Sequence, residues 1–224
     1  MFQKAAMAVS GIILVLYLLA HMYGNLKLFS GQQAFDDYSH HLRELGEPLL
    51  PYTGALWIIR VVLLLAIAVH MWAAISLWRR ASKARTAQGA TGGRRYHTKN
   101  NKMGVQRSYA SFTLRWGGII IVLFVVYHLL HLTWNVISPG GASDSPYRRT
   151  VEGFEIWWVV LSYTIAMLAV GFHLRHGIFS ATQTLGYNTA RRQRNLNRMA
   201  TWVALIITVG FLIPPYSVLF GLVN

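Results

Sequence analysis

The chain alternates long apolar stretches with short polar segments, and this alternation predicts its fold. A transmembrane helix needs about 20 mostly apolar residues, and five stretches are long enough. They cover residues 5–29, 54–78, 116–137, 156–180 and 200–222. The pattern therefore predicts an all-α integral membrane protein, with five transmembrane helices in a single membrane domain that spans residues 1–224.

Two details refine the predicted helices. The fifth stretch contains Pro214-Pro215, and successive prolines are expected to kink or end a helix. The polar segment 31–47 carries apolar and aromatic residues at near-helical spacing, namely Ala34, Phe35, Tyr38, Leu42 and Leu45. This spacing predicts a short amphipathic helix that lies on the outer membrane interface.

Composition and charge support membrane insertion and give the orientation. Charged residues make up 12% of the chain, whereas soluble domains carry roughly 25%. The linker 79–115 holds ten basic residues and no acidic ones, and the arginine-rich linker 191–198 also lacks acids. The positive-inside rule places both linkers in the cytoplasm, so the N-terminus is predicted to be cytoplasmic. These linkers account for the net charge of +14 without nucleic-acid binding.

The long basic linker over residues 81–107 allows two interpretations. It is either a solvated cytoplasmic loop or a docking surface for a cytoplasmic partner, since its positive charge would attract an acidic surface. The glycine and polar residues of this linker are compatible with both.

Each of the first four predicted helices carries a histidine that is followed by methionine or leucine. These histidines are His21, His70, His128 and His173. A metal-binding side chain inside lipid is costly and indicates function. None of the seven acidic residues lies mid-span, which fits a heme-free transporter, the alternative class, poorly. Because the chain has no cysteine, the pattern predicts two bis-histidine b hemes rather than thiolate ligation.

The predicted topology gives each histidine a depth in the membrane. His21 lies in the outer half of the first helix, and His128 lies just outward of the middle of the third. His70 and His173 both lie in the inner halves of their helices. Depth therefore pairs His21 with His128 on an outer heme, and His70 with His173 on an inner one.

A neighbouring histidine competes for the ligand role on the third helix. His131 lies one turn from His128. A glycine–histidine spacing that occurs on both the first and the third helix favours His128. Gly11 precedes His21 by ten residues, as Gly118 precedes His128. A small residue nearly three turns from a histidine, on a similar face, leaves room for a flat macrocycle beside the backbone.

Other polar residues of the spans leave alternatives open. On the fourth helix His176 lies one turn from His173, which is favoured because it alone fits the histidine–leucine pattern. Arg60 and Arg175 lie near span ends. Each either snorkels to the interface or pairs with a heme propionate.

The chain resembles a known family in several local strings. They are Ser10-Gly11 ahead of residues 21–25, residues 115–118 ahead of His128-Leu129, and His173 ahead of Gly177. With five spans and one histidine on each of the first four, the whole chain is similar to the diheme cytochrome b membrane anchor of bacterial succinate dehydrogenases and fumarate reductases. Anchors of respiratory nitrate reductases and hydrogenases are the alternative within the same class.

The resemblance implies the ligand pairs that depth predicts, with His21 and His128 on the distal heme and His70 and His173 on the proximal one. It implies two cytoplasmic partners, a flavoprotein subunit with FAD and an iron–sulfur subunit, on a bacterial inner membrane. It implies that electrons from succinate reach a membrane quinone, with menaquinone expected. The dicarboxylate site would lie in the flavoprotein, so no catalytic residue is expected in this chain.

The resemblance also points to a departure and to a quinone site. Some diheme relatives carry a glutamate two residues before the fourth-helix histidine, where this chain has Gly171. Transmembrane proton transfer through such a glutamate is therefore not expected. An acidic residue near the distal heme would serve quinone oxidation, and Glu44 or Glu47 beside Arg43 are the candidates. The alternative is a solvated acidic loop.

Overall fold

The computed structural model describes residues 2–90, 101–186 and 189–223, and every regular element in these ranges is a helix. The α-helices are α1 Phe2–Leu26, α2 Gln32–Glu44, α3 Gly54–Ala90, α4 Asn101–His128, α5 Pro146–Phe154, α6 Trp157–Thr184 and α7 Ala190–Leu219. Five segments are long and apolar enough to cross a membrane: Phe2–Ser30, Gly54–Lys83, Leu114–Thr133, Trp157–Thr184 and Arg192–Leu219. The predicted class, an all-α integral membrane protein with five spans, is confirmed.

Two helix ends differ from the predicted boundaries. The apolar pattern extends the third span to residue 137, but α4 ends at His128 and continues as a π-helical turn over Leu129–Thr133. Asn135 then adopts a φ of +55°, a left-handed conformation that asparagine tolerates and that a helix cannot continue through. The helix α7 does not end at Pro214-Pro215 but runs on to Leu219.

Two short helices lie between the membrane spans. The predicted amphipathic helix is confirmed as α2, whereas α5 has no counterpart among the predicted elements. The start of α5 has two ordinary helix signals, because the Ser145 hydroxyl accepts a hydrogen bond from the Arg148 N–H and Pro146 occupies the first turn. Asp36 of α2 accepts hydrogen bonds from the Ser145 hydroxyl at 2.6 Å and from the Tyr147 N–H at 3.0 Å. These bonds join α2 and α5 into one unit, which we call the outer cap.

The four histidine-bearing helices form a bundle in which α1 packs along α3 and α6, and α6 packs along α4. The order around the bundle is therefore α3, α1, α6, α4, with α7 packed against α6 and α1. In this order α1 lies diagonally opposite α4, and α3 lies diagonally opposite α6. Side chains from diagonal helices can meet across the bundle axis, which is where cofactors of helix bundles lie.

The helix α6 forms the centre of the packed core. Its buried residues are Val159, Val160, Tyr163, Ala166, Met167, Val170 and Leu174. Many apolar side chains of α3 are exposed at the surface of the bundle, including Trp57, Leu64 and Leu65. A helix that exposes apolar side chains at the surface of such a bundle is expected to face lipid.

Candidate heme-binding sites

Four histidines from four membrane-spanning helices meet as two pairs inside the bundle. The rings of His21 on α1 and His128 on α4 have centres 5.8 Å apart, with an interplanar angle of 83°. The rings of His70 on α3 and His173 on α6 have centres 6.2 Å apart, with an angle of 60°. We call these the outer pair and the inner pair, after the depths that the charge distribution predicts.

The spacing within both pairs is that of two axial ligands on one iron. Metal–nitrogen bonds of about 2.0 Å put the ring centres of two coaxial imidazoles about 6.3 Å apart. Among the described residues, no group of three or more metal-ligating side chains is close enough to hold an ion without help. A histidine pair leaves the other coordination positions to a further ligand, and the four porphyrin nitrogens of a heme supply them. The two donor sets therefore fit bis-histidine hemes.

Small residues of α1 allow the inner pair to approach the backbone closely. A methyl group at Gly11 would lie 3.3 Å from Cε1 of His70, so a larger side chain would meet the ring. The Ser10 hydroxyl lies 2.7 Å from the Ala6 carbonyl, to which it donates, and 3.2 Å from Nδ1 of His70. Because a hydroxyl has one hydrogen, Ser10 can accept from the Nδ1–H of His70, and the Met7 carbonyl is a second acceptor within reach of the same ring. The Nε2 of His70 is then unprotonated and free to bind a metal.

The two glycines of the repeated glycine–histidine spacing, Gly11 and Gly118, both lie beside the inner pair. Gly118 of α4 lies beside the inner His173, with 3.7 Å between a methyl group at Gly118 and Cε1 of the ring. Gly11 likewise faces the inner His70 rather than the outer histidine of its own helix. The ten-residue spacing therefore does not place each glycine beside the histidine of its own helix, and the preference for His128 over His131 that it supported stays a prediction. The two glycines flank the inner pair from the two remaining helices of the bundle.

Ten residues separate the two histidine levels on three different helices. The inner level is reached by Gly11 of α1, Gly118 of α4 and His173 of α6. The outer level is reached by His21, His128 and Tyr163 of the same three helices. At about 1.5 Å per residue, ten residues span about 15 Å along a helix. The levels are thus separated by nearly three helical turns.

Aromatic residues surround the outer pair. The ring of Tyr17 stacks on His21, with centres 5.3 Å apart and an angle of 11°, and Phe211 of α7 lies 5.7 Å from the same ring. On the other side, Phe124 lies 5.8 Å from His128. The hydroxyl of Tyr163 is 3.2 Å from Nδ1 of His128. The outer histidines are therefore held by side-chain rings rather than by close backbone approach.

The structure separates the two histidines that compete on the third helix. His128 lies against His21, whereas His131 packs between Tyr127 and Tyr163. His131 is only 3% exposed, and its Nε2 would lie 2.7 Å from a methyl group at Gly153 of α5. That spacing leaves no room for a macrocycle over Nε2. On α6 it is His173, rather than the neighbouring His176, whose ring faces the inner partner.

The two arginines of the predicted spans lie in different surroundings. The Arg60 guanidinium lies 5.1 Å from the ring centre of Trp57, and Arg60 is close enough to Tyr17 for an electrostatic interaction. Tyr17 stacks on an outer histidine, so Arg60 lies on the outer side of the bundle. The Nε of Arg175 instead donates to the Thr201 hydroxyl of α7 at 3.2 Å. That contact directs Arg175 toward α7.

The residues considered for a quinone site lie at the end of α2. Glu44 faces Nδ1 of His40 at 3.4 Å, and both side chains are exposed. Arg43 donates to the Ser39 carbonyl at 3.1 Å, within the same helix. Glu47 lies beyond the end of α2 and is exposed. The structure therefore brings Glu44 and Arg43 to partners within α2.

Arg149 of α5 connects the outer cap to the end of the third span. Its Nη1 donates to the Leu132 carbonyl of the π-helical turn at 3.1 Å. Burial and the neighbouring Arg43 lower the pKa of Arg149, while Asp144 and Asp36 raise it. The cap therefore brings basic and acidic groups next to the segment that follows the outer ligand. The sequence pattern does not single out Arg149, because one arginine in a polar linker carries no distinguishing signal.

Gly171 lies on α6, two residues before His173, where the resemblance drawn from the sequence led us to expect no glutamate-mediated proton transfer. Here α7 approaches α6 closely, and a methyl group at Gly171 would overlap the Thr208 hydroxyl. The Thr208 hydroxyl itself donates to the Ala204 carbonyl within α7. A carboxylate side chain has no space at this position, which agrees with the glycine of the sequence.

Five spans and two histidine pairs inside the helix bundle define a multi-pass membrane protein whose bundle fits hemes. A family model described as the succinate dehydrogenase/fumarate reductase transmembrane subunit matches residues 95–213, more than half of the chain. The chain therefore belongs to this family. This membership separates it from the anchors of nitrate reductases and hydrogenases. No curated protein and no solved structure matches the chain.

Proposed function

We propose that this protein is the cytochrome b anchor of a bacterial succinate dehydrogenase, and that it holds a flavoprotein and an iron–sulfur subunit at the cytoplasmic face of the inner membrane. Two b hemes, when bound, supply one-electron carriers between the iron–sulfur subunit and a membrane quinone, with menaquinone expected. The observation that carries the proposal is the presence of two histidine pairs at axial-ligand spacing in a chain of this family.

The histidines are the proposed iron ligands. His21 and His128 hold the distal heme, and His70 and His173 hold the proximal heme. The four imidazoles must be neutral to bind iron, and burial in an apolar bundle favours the neutral form. The apolar side chains around the histidines are expected to limit the access of water, which lowers the local dielectric.

Two arginines are the proposed partners of the heme propionates. Arg60 suits the outer heme, because it lies on the outer side of the bundle near Tyr17. Arg175 would have to give up its hydrogen bond to Thr201 to reach a propionate of the inner heme. Arg115, which lies over the ring of Trp78 with 5.5 Å to the ring centre, bridges α3 and α4 and is an additional candidate for the inner heme.

The quinone is proposed to bind under the outer cap, beside the outer pair. Arg43 interacts electrostatically with Arg149, which is bonded to the π-helical turn after His128. Glu44 follows Arg43 and is exposed at the end of α2, so its carboxyl group could pass a proton to the quinone when electrons from succinate reduce it. Replacing Glu44 with glutamine tests this role. A lower kcat for quinone reduction by succinate, at an unchanged KM and heme content, is expected, and an unaltered kcat contradicts this role.

The heme content of the purified chain tests the proposed function as a whole. A reduced-minus-oxidised visible spectrum with heme extraction should give a b-type signal and about two hemes per chain. A preparation that folds in the membrane but binds no heme would overturn the proposal. Co-purification with a flavin-containing and an iron–sulfur protein tests the partner subunits. The basic linker 81–107 is the proposed contact, although residues 91–100 of it lie outside the described residues.

A further inference from the structure

One tyrosine hydroxyl is shared between the outer ligand and a histidine that is not a ligand. The Oη of Tyr163 lies 3.2 Å from Nδ1 of His128 and 3.1 Å from Nδ1 of His131. A phenol has a single hydrogen, so it can donate to only one of the two nitrogens. The other nitrogen must carry its own hydrogen and donate to the phenol oxygen. The three groups therefore form a chain with one of two directions.

Iron ligation selects the direction of the chain. If Tyr163 donated to Nδ1 of His128, the hydrogen of that neutral imidazole would be on Nε2 and would block iron binding. His128 must therefore donate from Nδ1 to Tyr163, and Tyr163 must donate to His131. The hydrogen of His131 then lies on Nε2, the nitrogen that packs against Gly153.

We propose that Tyr163 is a positioning residue, which holds His128 in the tautomer and orientation of an iron ligand, and that His131 fixes the direction in which Tyr163 donates. This inference rests on the proposed binding of heme by His128. It assigns a role to His131, the histidine that competes with His128 for the ligand position. His131 acts as the last acceptor of the chain rather than as a ligand.

Packing around Tyr163 supports a fixed hydroxyl. The rings of Phe124 and Phe154 each lie 4.9 Å from the ring of Tyr163, in edge-on contact from two sides. Tyr163 is 6% exposed, so bulk water does not compete for its hydroxyl. The π-helical turn after His128 carries His131, and such turns are frequent at functional sites because they change which residues share a face.

The chain should affect the electron density on the iron. An imidazole that donates its second N–H to an acceptor is a more basic ligand, which favours the oxidised iron. Loss of the Tyr163 hydroxyl leaves the Nδ1–H of His128 without this acceptor. The midpoint potential of the outer heme should then shift to a more positive value, while that of the inner heme stays unchanged.

Redox titration of the heme-loaded protein tests the inference with two variants and one control. Tyr163→Phe removes only the hydroxyl, and His131→Leu removes the last acceptor. Tyr127→Phe is the matched control, because Tyr127 stacks on His131 but its hydroxyl bonds to neither histidine in the described structure. The transition that is lost in His21→Ala identifies the outer heme.

Tyr163→Phe should keep two hemes per chain and shift only the outer midpoint potential upward, and His131→Leu should give a smaller shift of the same sign. The control should show no shift. An unshifted outer potential in both variants, or loss of the outer heme in His131→Leu, would overturn the inference alone. If Tyr163→Phe fails to assemble, the midpoint potential of the outer heme in His131→Leu decides whether the inference holds. A wild-type protein without heme would instead overturn the proposed function, and this inference with it.

Discussion

The two histidine pairs are built by different means on the same four helices. At the inner level, glycines of α1 and α4 lie beside the histidine rings, and Ser10 supplies a hydroxyl that is itself bonded to the backbone. At the outer level, Tyr17, Phe124 and Tyr163 surround the rings. The inner pair thus depends on the absence of side chains, and the outer pair on their presence. Added bulk should therefore damage the inner site, and lost rings or hydroxyls the outer one.

Loss of one histidine should have the largest effect and should separate the two sites. We expect His70→Ala to lower the heme content from about two to about one per chain, because one axial ligand alone holds a heme weakly. The remaining heme should have the spectrum and potential of the outer site. His40→Ala, on the exposed face of α2, is the control and should keep both hemes. If His70→Ala lost the outer heme instead, the pairing by depth would be wrong.

Added bulk beside the inner pair should have the next largest effect. Gly11→Leu places a side chain against the ring of His70, and overpacking of this kind costs about 1–3 kcal/mol. We expect loss of the inner heme with the outer heme retained, measured by redox titration. Ala5→Leu, at an exposed position of the same helix, is the control for added bulk. Equal heme loss in both variants would contradict the role of Gly11.

Removal of the Ser10 hydroxyl should weaken the inner site without abolishing it. Ser10→Ala removes one of two groups that can accept from the His70 ring, the other being the Met7 carbonyl. Loss of a partner of this kind commonly lowers metal affinity about 10- to 100-fold, and we expect an effect at the lower end of this range. Heme dissociation to an acceptor protein should be faster for the inner heme only. Ser162→Ala removes a hydroxyl that donates to the Val159 carbonyl of its own helix, away from the inner pair, and it should leave both rates unchanged. Faster loss of the outer heme in Ser10→Ala would argue against this assignment.

The outer cap should respond most weakly. Asp36→Ala removes two hydrogen bonds between α2 and the start of α5, and bonds to a charged group contribute about 1.5–3 kcal/mol each when buried and less here, where the site is partly exposed. Faster hydrogen exchange in α5 is expected, with both hemes retained. Asp37→Ala on the same helix is the control, and an equal change in exchange would show that the contact does not hold the cap.

The spans, and which histidines lie at the same level of the bundle, could be predicted from sequence, because both depend on position along the helices. Apolar length gives the spans, and basic linkers give the direction of each helix. Rotation about a helix axis has no such signal in a nearly uniform apolar segment. For that reason the ten-residue spacing of Gly11 and His21 is visible in the sequence, but the sequence does not show that Gly11 faces His70 of another helix.

The residues that sequence reasoning misses are those whose partners are distant in the chain. Tyr163 has the surroundings of an ordinary core tyrosine until His128 and His131 are seen beside its hydroxyl. The helix α5 has nine residues, too few for a periodic pattern, although Ser145-Pro146 is a recognisable helix start. Ser10 is visible in the sequence only as part of a family string, and its bond to His70 joins residues 60 positions apart.

The ten-residue interval between the two levels recurs on α1, α4 and α6. One inserted residue between the levels would rotate the rest of a helix by about 100° and lengthen it by about 1.5 Å. In the proposed function, the rate of electron tunnelling falls exponentially with the distance between donor and acceptor. The count of residues between the levels therefore sets this rate, and insertions or deletions within this interval should be tolerated far less well than substitutions of its lipid-facing side chains.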